Sequence, residues 1–96
     1  MKSAVLHEVN QPLQMEEVDV ALPGPREVLV RTRASGVCHS DLHFVEGLYA
    51  TVMPVVLGHE AAGTVEAVGS QVDYVSPGDR VICCLSVFCG QCERCT

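Results

Sequence analysis

A mainly β domain carrying one short helix is what this sequence predicts, on three observations. Apolar residues make up 48% of the chain but aromatic residues only 4%, and 17 valines stand against two Phe, two Tyr and no Trp. A core built from branched aliphatics favours sheet over helix. The apolar residues also fall into short runs separated by Gly and Pro turn material rather than into long helical stripes. Finally, 96 residues fit one small domain and exclude a two-domain enzyme with a complete cofactor fold.

Taken in order, residues 3–9 and 14–20 read as two strands separated by the turn residues Asn10, Gln11 and Pro12, which makes a hairpin or meander. After Pro23-Gly24-Pro25, a third, half-exposed strand runs from Glu27 to Ala34 until Gly36 interrupts it. Between Cys38 and Val45 the polar and apolar residues follow a helical period, with Ser40 and Asp41 where a helix cap is expected. A further strand is expected over Ala61–Val68, with Gly63 marking a bulge or a close backbone approach. The turn Ser76-Pro77-Gly78-Asp79 precedes Arg80–Leu85, an apolar run that reads as a buried strand in which Cys83 and Cys84 act as small hydrophobes. Residues 86–96 show no periodicity. No repeat, linker or low-complexity tract is found.

Six Lys and Arg against 12 Asp and Glu give a net charge of −6, shared evenly between the two halves of the chain. No basic patch recommends nucleic acid or an anionic membrane as a partner. The apolar runs are too short to span a bilayer or to act as a secretory signal, so a cytoplasmic location is the expectation. Six cysteines could indicate a secreted disulfide scaffold, yet Cys89, Cys92 and Cys95 crowd together and Cys83 adjoins Cys84. Reduced, metal-seeking thiols fit that crowding better.

The thiols of Cys89, Cys92 and Cys95 lie three residues apart, a spacing that lets a folded-back loop aim successive sulfurs at one ion. Zinc prefers such soft, tetrahedral company, whereas free thiols or a redox Cys-x-x-Cys pair are the competing readings. Cys38 and His59 are 21 residues apart, too far for a local motif but within reach if two strand ends meet on one rim. Alone, the pair is a weak signal, since an isolated histidine is more often a hydrogen-bonded structural residue.

Four ordered blocks raise it: Gly36-Val37-Cys38-His39-Ser40-Asp41-Leu42-His43; Gly58-His59-Glu60-Ala61-Ala62-Gly63; Val68-Gly69 through Gly78-Asp79-Arg80-Val81; and Cys89-Gly90-Gln91-Cys92-Glu93-Arg94-Cys95. Together they resemble the zinc-dependent alcohol dehydrogenases of the medium-chain dehydrogenase/reductase family. The resemblance runs from about Lys2 to Thr96. It implies that residues 1–96 are the N-terminal part of the catalytic domain, a GroES-like distorted β-barrel with a short helix, truncated before the nucleotide-binding domain. The wording of Leu85 to Gly90 resembles the class III branch.

The resemblance further implies roles residue by residue. Cys38 and His59 would hold a catalytic zinc, with Glu60 beside the metal, while Cys89, Cys92 and Cys95 would hold a structural zinc. Ser40 would accept the substrate proton and His43 would pass it on; His39 would face the pyrophosphate of NAD or NADP, and Asp41 would support the zinc-binding imidazole. The implied activity is oxidation of a primary alcohol, or of a formaldehyde adduct, to an aldehyde by hydride transfer to the nicotinamide. The full protein is expected to be a homo-oligomer. No Gly-x-Gly-x-x-Gly turn is present, and a third catalytic ligand and a fourth structural cysteine are missing, so the segment alone is expected to be inactive. Two other readings share some of these features. A zinc-binding or GroES-like association module without chemistry gives no reason for pairing Cys38 with His59, and a zinc-free quinone reductase relative gives none for the cysteine cluster.

Overall fold

The computed structural model describes residues 1–95. Thr96, the last residue of the domain and of the resemblance read from the sequence, lies outside the described residues. The elements are β1 (Lys2–Leu6), β2 (Gln14–Glu17), β3 (Val28–Ser35), α1 (His39–Val45), β4 (Val55–Val56), β5 (Ala61–Val68) and β6 (Arg80–Ile82). They form two three-stranded sheets, ordered β2-β1-β4 and β3-β5-β6, and every strand pairing is antiparallel. Among the described residues no helix is long and apolar enough to cross a membrane.

In the first sheet the expected pair forms with Lys2 opposite Glu17 and Val5 opposite Gln14. Both strands are shorter than the sequence suggests. β1 stops at Leu6, and Asn10 takes a positive φ of 59° in the following turn, a conformation that Asn tolerates better than most residues. β2 stops at Glu17, although the Val18 amide still reaches the Met1 carbonyl at 2.9 Å. β4, which the sequence does not signal, is a two-residue strip on the free side of β1.

The second sheet carries the site. β3 and β5, eight residues each, pair at seven positions from Val28 opposite Val68 to Ser35 opposite Ala61. The register shifts between Leu29 and Val30 and again between Thr32 and Ala34, so the ladder is irregular where Thr32 faces Gly63, as the glycine led one to expect. The Arg31 guanidinium pairs with Glu66 across the two strands.

Three expectations about the last strand are overturned. β6 spans Arg80–Ile82 rather than Arg80–Leu85, and it is not buried: Ile82 is 83% exposed. Cys83 and Cys84 are both exposed rather than packed. Among the described residues, β6 is an edge strand with β5 on one side and no further strand on the other, which leaves Ile82 in solvent.

The buried apolar side chains are Val5, Leu6 and Val65, with Leu6 fully enclosed. A compact protein of 10.3 kDa would expose about 5,400 Å², whereas this chain exposes 7467 Å². Large apolar side chains contribute to it: Leu22, Val37, Val52, Leu85 and Val87 all project into solvent. With so small a core, each buried side chain carries a large share of the stability. Replacing Leu6 by Ala is therefore expected to cost about 2–5 kcal/mol, measured as a shift in the denaturant midpoint.

Candidate functional site

The geometry of the site follows from the pairing of β3 with β5. Because Ser35 faces Ala61, the chain leaving β3 and the chain entering β5 lie side by side, and the Gly36 amide donates to the Glu60 carbonyl at 3.1 Å. Two residues beyond Gly36 is Cys38, and one residue before Glu60 is His59. Gly58 enters this corner with φ 137°, a conformation that side-chain-bearing residues rarely adopt, and so permits the bend that brings His59 inward. One ligand atom each from Cys38, His59 and Glu60 lies within 4.8 Å of the others.

α1 begins immediately after Cys38. The sequence suggests Ser40 or Asp41 as the cap, but Cys38 is the N-cap residue, and Asp41 sits three residues into the turn. Its Oδ2 accepts a hydrogen bond from the Cys38 amide at 3.1 Å. Its Oδ1 lies 3.5 Å from Nδ1 of His59. One carboxylate thus fixes the backbone of one candidate ligand and faces the ring of the other. The second ring nitrogen of His59, Nε2, lies 4.0 Å from Glu60 Oε1. A ligating imidazole backed by a carboxylate on its other nitrogen is the arrangement that metal sites use to set ring orientation.

The Ser40 hydroxyl donates to the Cys38 sulfur at 3.3 Å. That bond, ahead of those from the Ser40 amide and His59, lowers the Cys38 thiol pKa. The hydrogen bond with Cys38 in turn raises the His59 pKa, reinforced by the charge of Asp41. Zinc requires thiolate and neutral imidazole, so its binding here must displace a proton and strengthen as pH rises.

The remaining expected residues lie along α1. Ser40 and His43 are three residues apart and share a helix face. The His39 and His43 rings meet edge-on with centroids 4.6 Å apart. Nδ1 of His43 is buried and has no hydrogen-bond partner among the described residues. The sequence reading missed Tyr49, whose ring packs edge-on against His43 at 5.0 Å and Phe44 at 5.4 Å. Tyr49 follows the end of the helix, where no periodicity flags it.

The second donor set is the loop after β6. The Cys92 and Cys95 sulfurs are 3.3 Å apart, and those of Cys89 and Cys95 are 3.7 Å apart. These separations exceed a disulfide bond by more than 1 Å. They approach the edge of about 3.8 Å expected for a tetrahedron of sulfurs around zinc at 2.3 Å. None of the three is in a disulfide, and the three sulfurs lie within 4.8 Å of one another. Both donor sets thus suit zinc in residue type and in spacing. Among the described residues, no fourth donor joins either set. The Arg26 guanidinium holds the loop by donating to the Cys89 carbonyl at 3.1 Å, a brace that no sequence pattern announces.

A β domain presenting two such donor sets from strand-end loops is the class of protein that the fold and its side chains define. More narrowly, the chain belongs to the alcohol dehydrogenase GroES-like domain family within the medium-chain dehydrogenase/reductases, the domain matching over residues 24–96. It is 50% identical over 98 residues to an alcohol dehydrogenase of Moraxella sp. (strain TAE123), covering 99% of this chain and 29% of that protein. Its structure resembles the alcohol dehydrogenase of the hyperthermophilic archaeon Aeropyrum pernix, with a TM-score of 0.89 and 41% identity over 99% of this chain and 29% of that one. The Escherichia coli quinone oxidoreductase complexed with NADPH is similar over less of the chain, 85% of it and 26% of its own length, with a TM-score of 0.82 and 35% identity. The chain therefore spans less than a third of the length of the curated relative it matches.

The backbone N–H of Gln91, followed by the Cys92 thiol, lowers the Cys89 pKa to about 7. In metal-free protein, alkylation of Cys89 by iodoacetamide is accordingly expected to rise with an apparent pKa of about 7, and added zinc should suppress it. Peptide mass spectrometry across a pH series measures both effects.

Proposed function

We propose that this chain supplies the metal-holding and proton-moving part of the active site of a zinc-dependent alcohol dehydrogenase. The reaction is oxidation of a primary alcohol, or of a formaldehyde adduct, to the aldehyde, with hydride passing to NAD or NADP. The observation that carries this reading is the convergence of Cys38, His59 and Glu60 at the β3–β5 junction, with the Asp41 carboxylate facing the other nitrogen of His59. Family membership and the alcohol dehydrogenases among the relatives support the same chemistry.

Cys38 and His59 would hold the catalytic zinc, and Cys89, Cys92 and Cys95 a structural one. When bound at Cys38 and His59, zinc supplies the Lewis acidity that eases loss of the alcohol proton. The chain's own residues then handle that proton. Ser40, held beside Cys38 by its hydrogen bond, can accept a proton from the alcohol while giving up its own. His43, one turn further along the helix, has a buried ring nitrogen with no partner among the described residues and carries the proton outward. His39 is exposed at the first position of the helix, where it can face the cofactor pyrophosphate. Glu60 places a carboxylate where it can influence ligand exchange at the metal.

The cysteine set favours this reading over a zinc-free quinone reductase, and the wording of residues 85–90 favours a class III-like branch within it. The proposal extends to a cytoplasmic homo-oligomer, with a small alcohol or aldehyde as its partner and neither nucleic acid nor membrane. The net charge of −6 supports the last two exclusions.

Metal analysis of a complete polypeptide carrying this segment should give two zinc per subunit. Cys38→Ala is expected to abolish turnover and remove one zinc while leaving the Cys89 cluster loaded; loss of both metals together would refute separate sites. Ser40→Ala is expected to lower kcat by about 10²–10⁴-fold, the usual contribution of a positioned proton-transfer group, with little change in cofactor Kd. Equal losses in both would assign Ser40 to packing.

A further inference from the structure

We infer that Gly36 is a positioning residue for Glu60: its missing side chain leaves the space through which the Glu60 carboxylate reaches the Cys38–His59 corner. This rests on the reading of that corner as a metal site. Gly36 and Glu60 continue the β3–β5 pairing one step past Ser35 and Ala61, joined by the bond from the Gly36 amide to the Glu60 carbonyl at 3.1 Å. A Cβ at position 36 would collide with Glu60 Oε2 and would come within 3.2 Å of its Cδ and 3.3 Å of its Cβ. The Glu60 side chain therefore folds back over the glycine, and its other oxygen, Oε1, lies 4.0 Å from Nε2 of His59.

Gly36 is not among the residues with positive φ, so backbone conformation does not demand glycine there. The demand comes from the carboxylate. Contact with the mobile end of a side chain, rather than with backbone, means that a methyl group at position 36 displaces the carboxylate before it disturbs the strands. The contrast with Gly63 shows the distinction, since a Cβ there would strike the Arg31 carbonyl, which cannot swing away. An alanine at position 36 thus acts on the metal site through Glu60.

The test is a double-mutant cycle on zinc affinity in the purified protein, read by competition with a chromophoric chelator and by the visible spectrum after cobalt substitution. Gly36→Ala and Glu60→Ala are each expected to weaken zinc at the Cys38–His59 site by about 10-fold, at the lower end of what loss of a supporting group costs a metal site. The double variant should be no weaker than Glu60→Ala alone, and the cobalt spectrum of the cysteine cluster should not change. Wild-type affinity in Gly36→Ala would overturn the inference. So would a full additional loss in the Glu60→Ala background, or unfolding of Gly36→Ala in both backgrounds; folding only when Glu60 is shortened would support it. Cys38→Ala separates this from the underlying reading: if that variant leaves zinc content unchanged, the metal site itself is refuted.

Discussion

The antiparallel register of β3 and β5 is the constraint on which the rest of the site depends. With Ser35 opposite Ala61, the segments that leave and enter these strands emerge at the same sheet end, and a cysteine and a histidine 21 positions apart in sequence become neighbours. A slip of one residue would turn every side chain of β5 to the opposite face. The two register irregularities around Thr32 and Val30 take up mismatch within the ladder, leaving the pairing intact at its functional end.

Asp41 joins this corner to the helix. Its two oxygens face the amide of Cys38 and the ring of His59, so the start of α1 and the orientation of the imidazole are set by the same side chain. The net worth of each contact is modest, but they constrain one another, and the thiol and ring respond as a pair: the Cys38 thiol is acidified while the His59 ring gains basicity. The same hydrogen bonds that orient these donors therefore also set their acidity.

Local chemistry made much of this legible in the sequence. The β5 boundaries, the helix after Cys38, the turn around Gly78 and the cysteine cluster all come from signals within a few residues, and each appears where expected. What failed depended on neighbours. Cys83, Cys84 and Leu85 have the composition of a buried strand, yet β6 is an edge, and composition does not show which strand will have a partner. The helix cap was misplaced because cysteine is not a usual capping residue, while Asp41 does its work from three positions further on. β4 is too short to leave a pattern. The proximity of Cys38 to His59 could be read only through the resemblance, since spacing alone cannot fix a tertiary register.

The loop bearing Cys89, Cys92 and Cys95 behaves differently from the sheets it follows. Every residue from Ile82 to Cys95 is exposed, so hydrophobic burial contributes almost nothing to its shape. What organises it is sulfur proximity, turn geometry and the guanidinium clasp from Arg26. Such a segment opens at low cost, through local fluctuation instead of global unfolding of the β scaffold. The loop is thus held by local contacts rather than by burial, so it can open while the strands behind it stay paired.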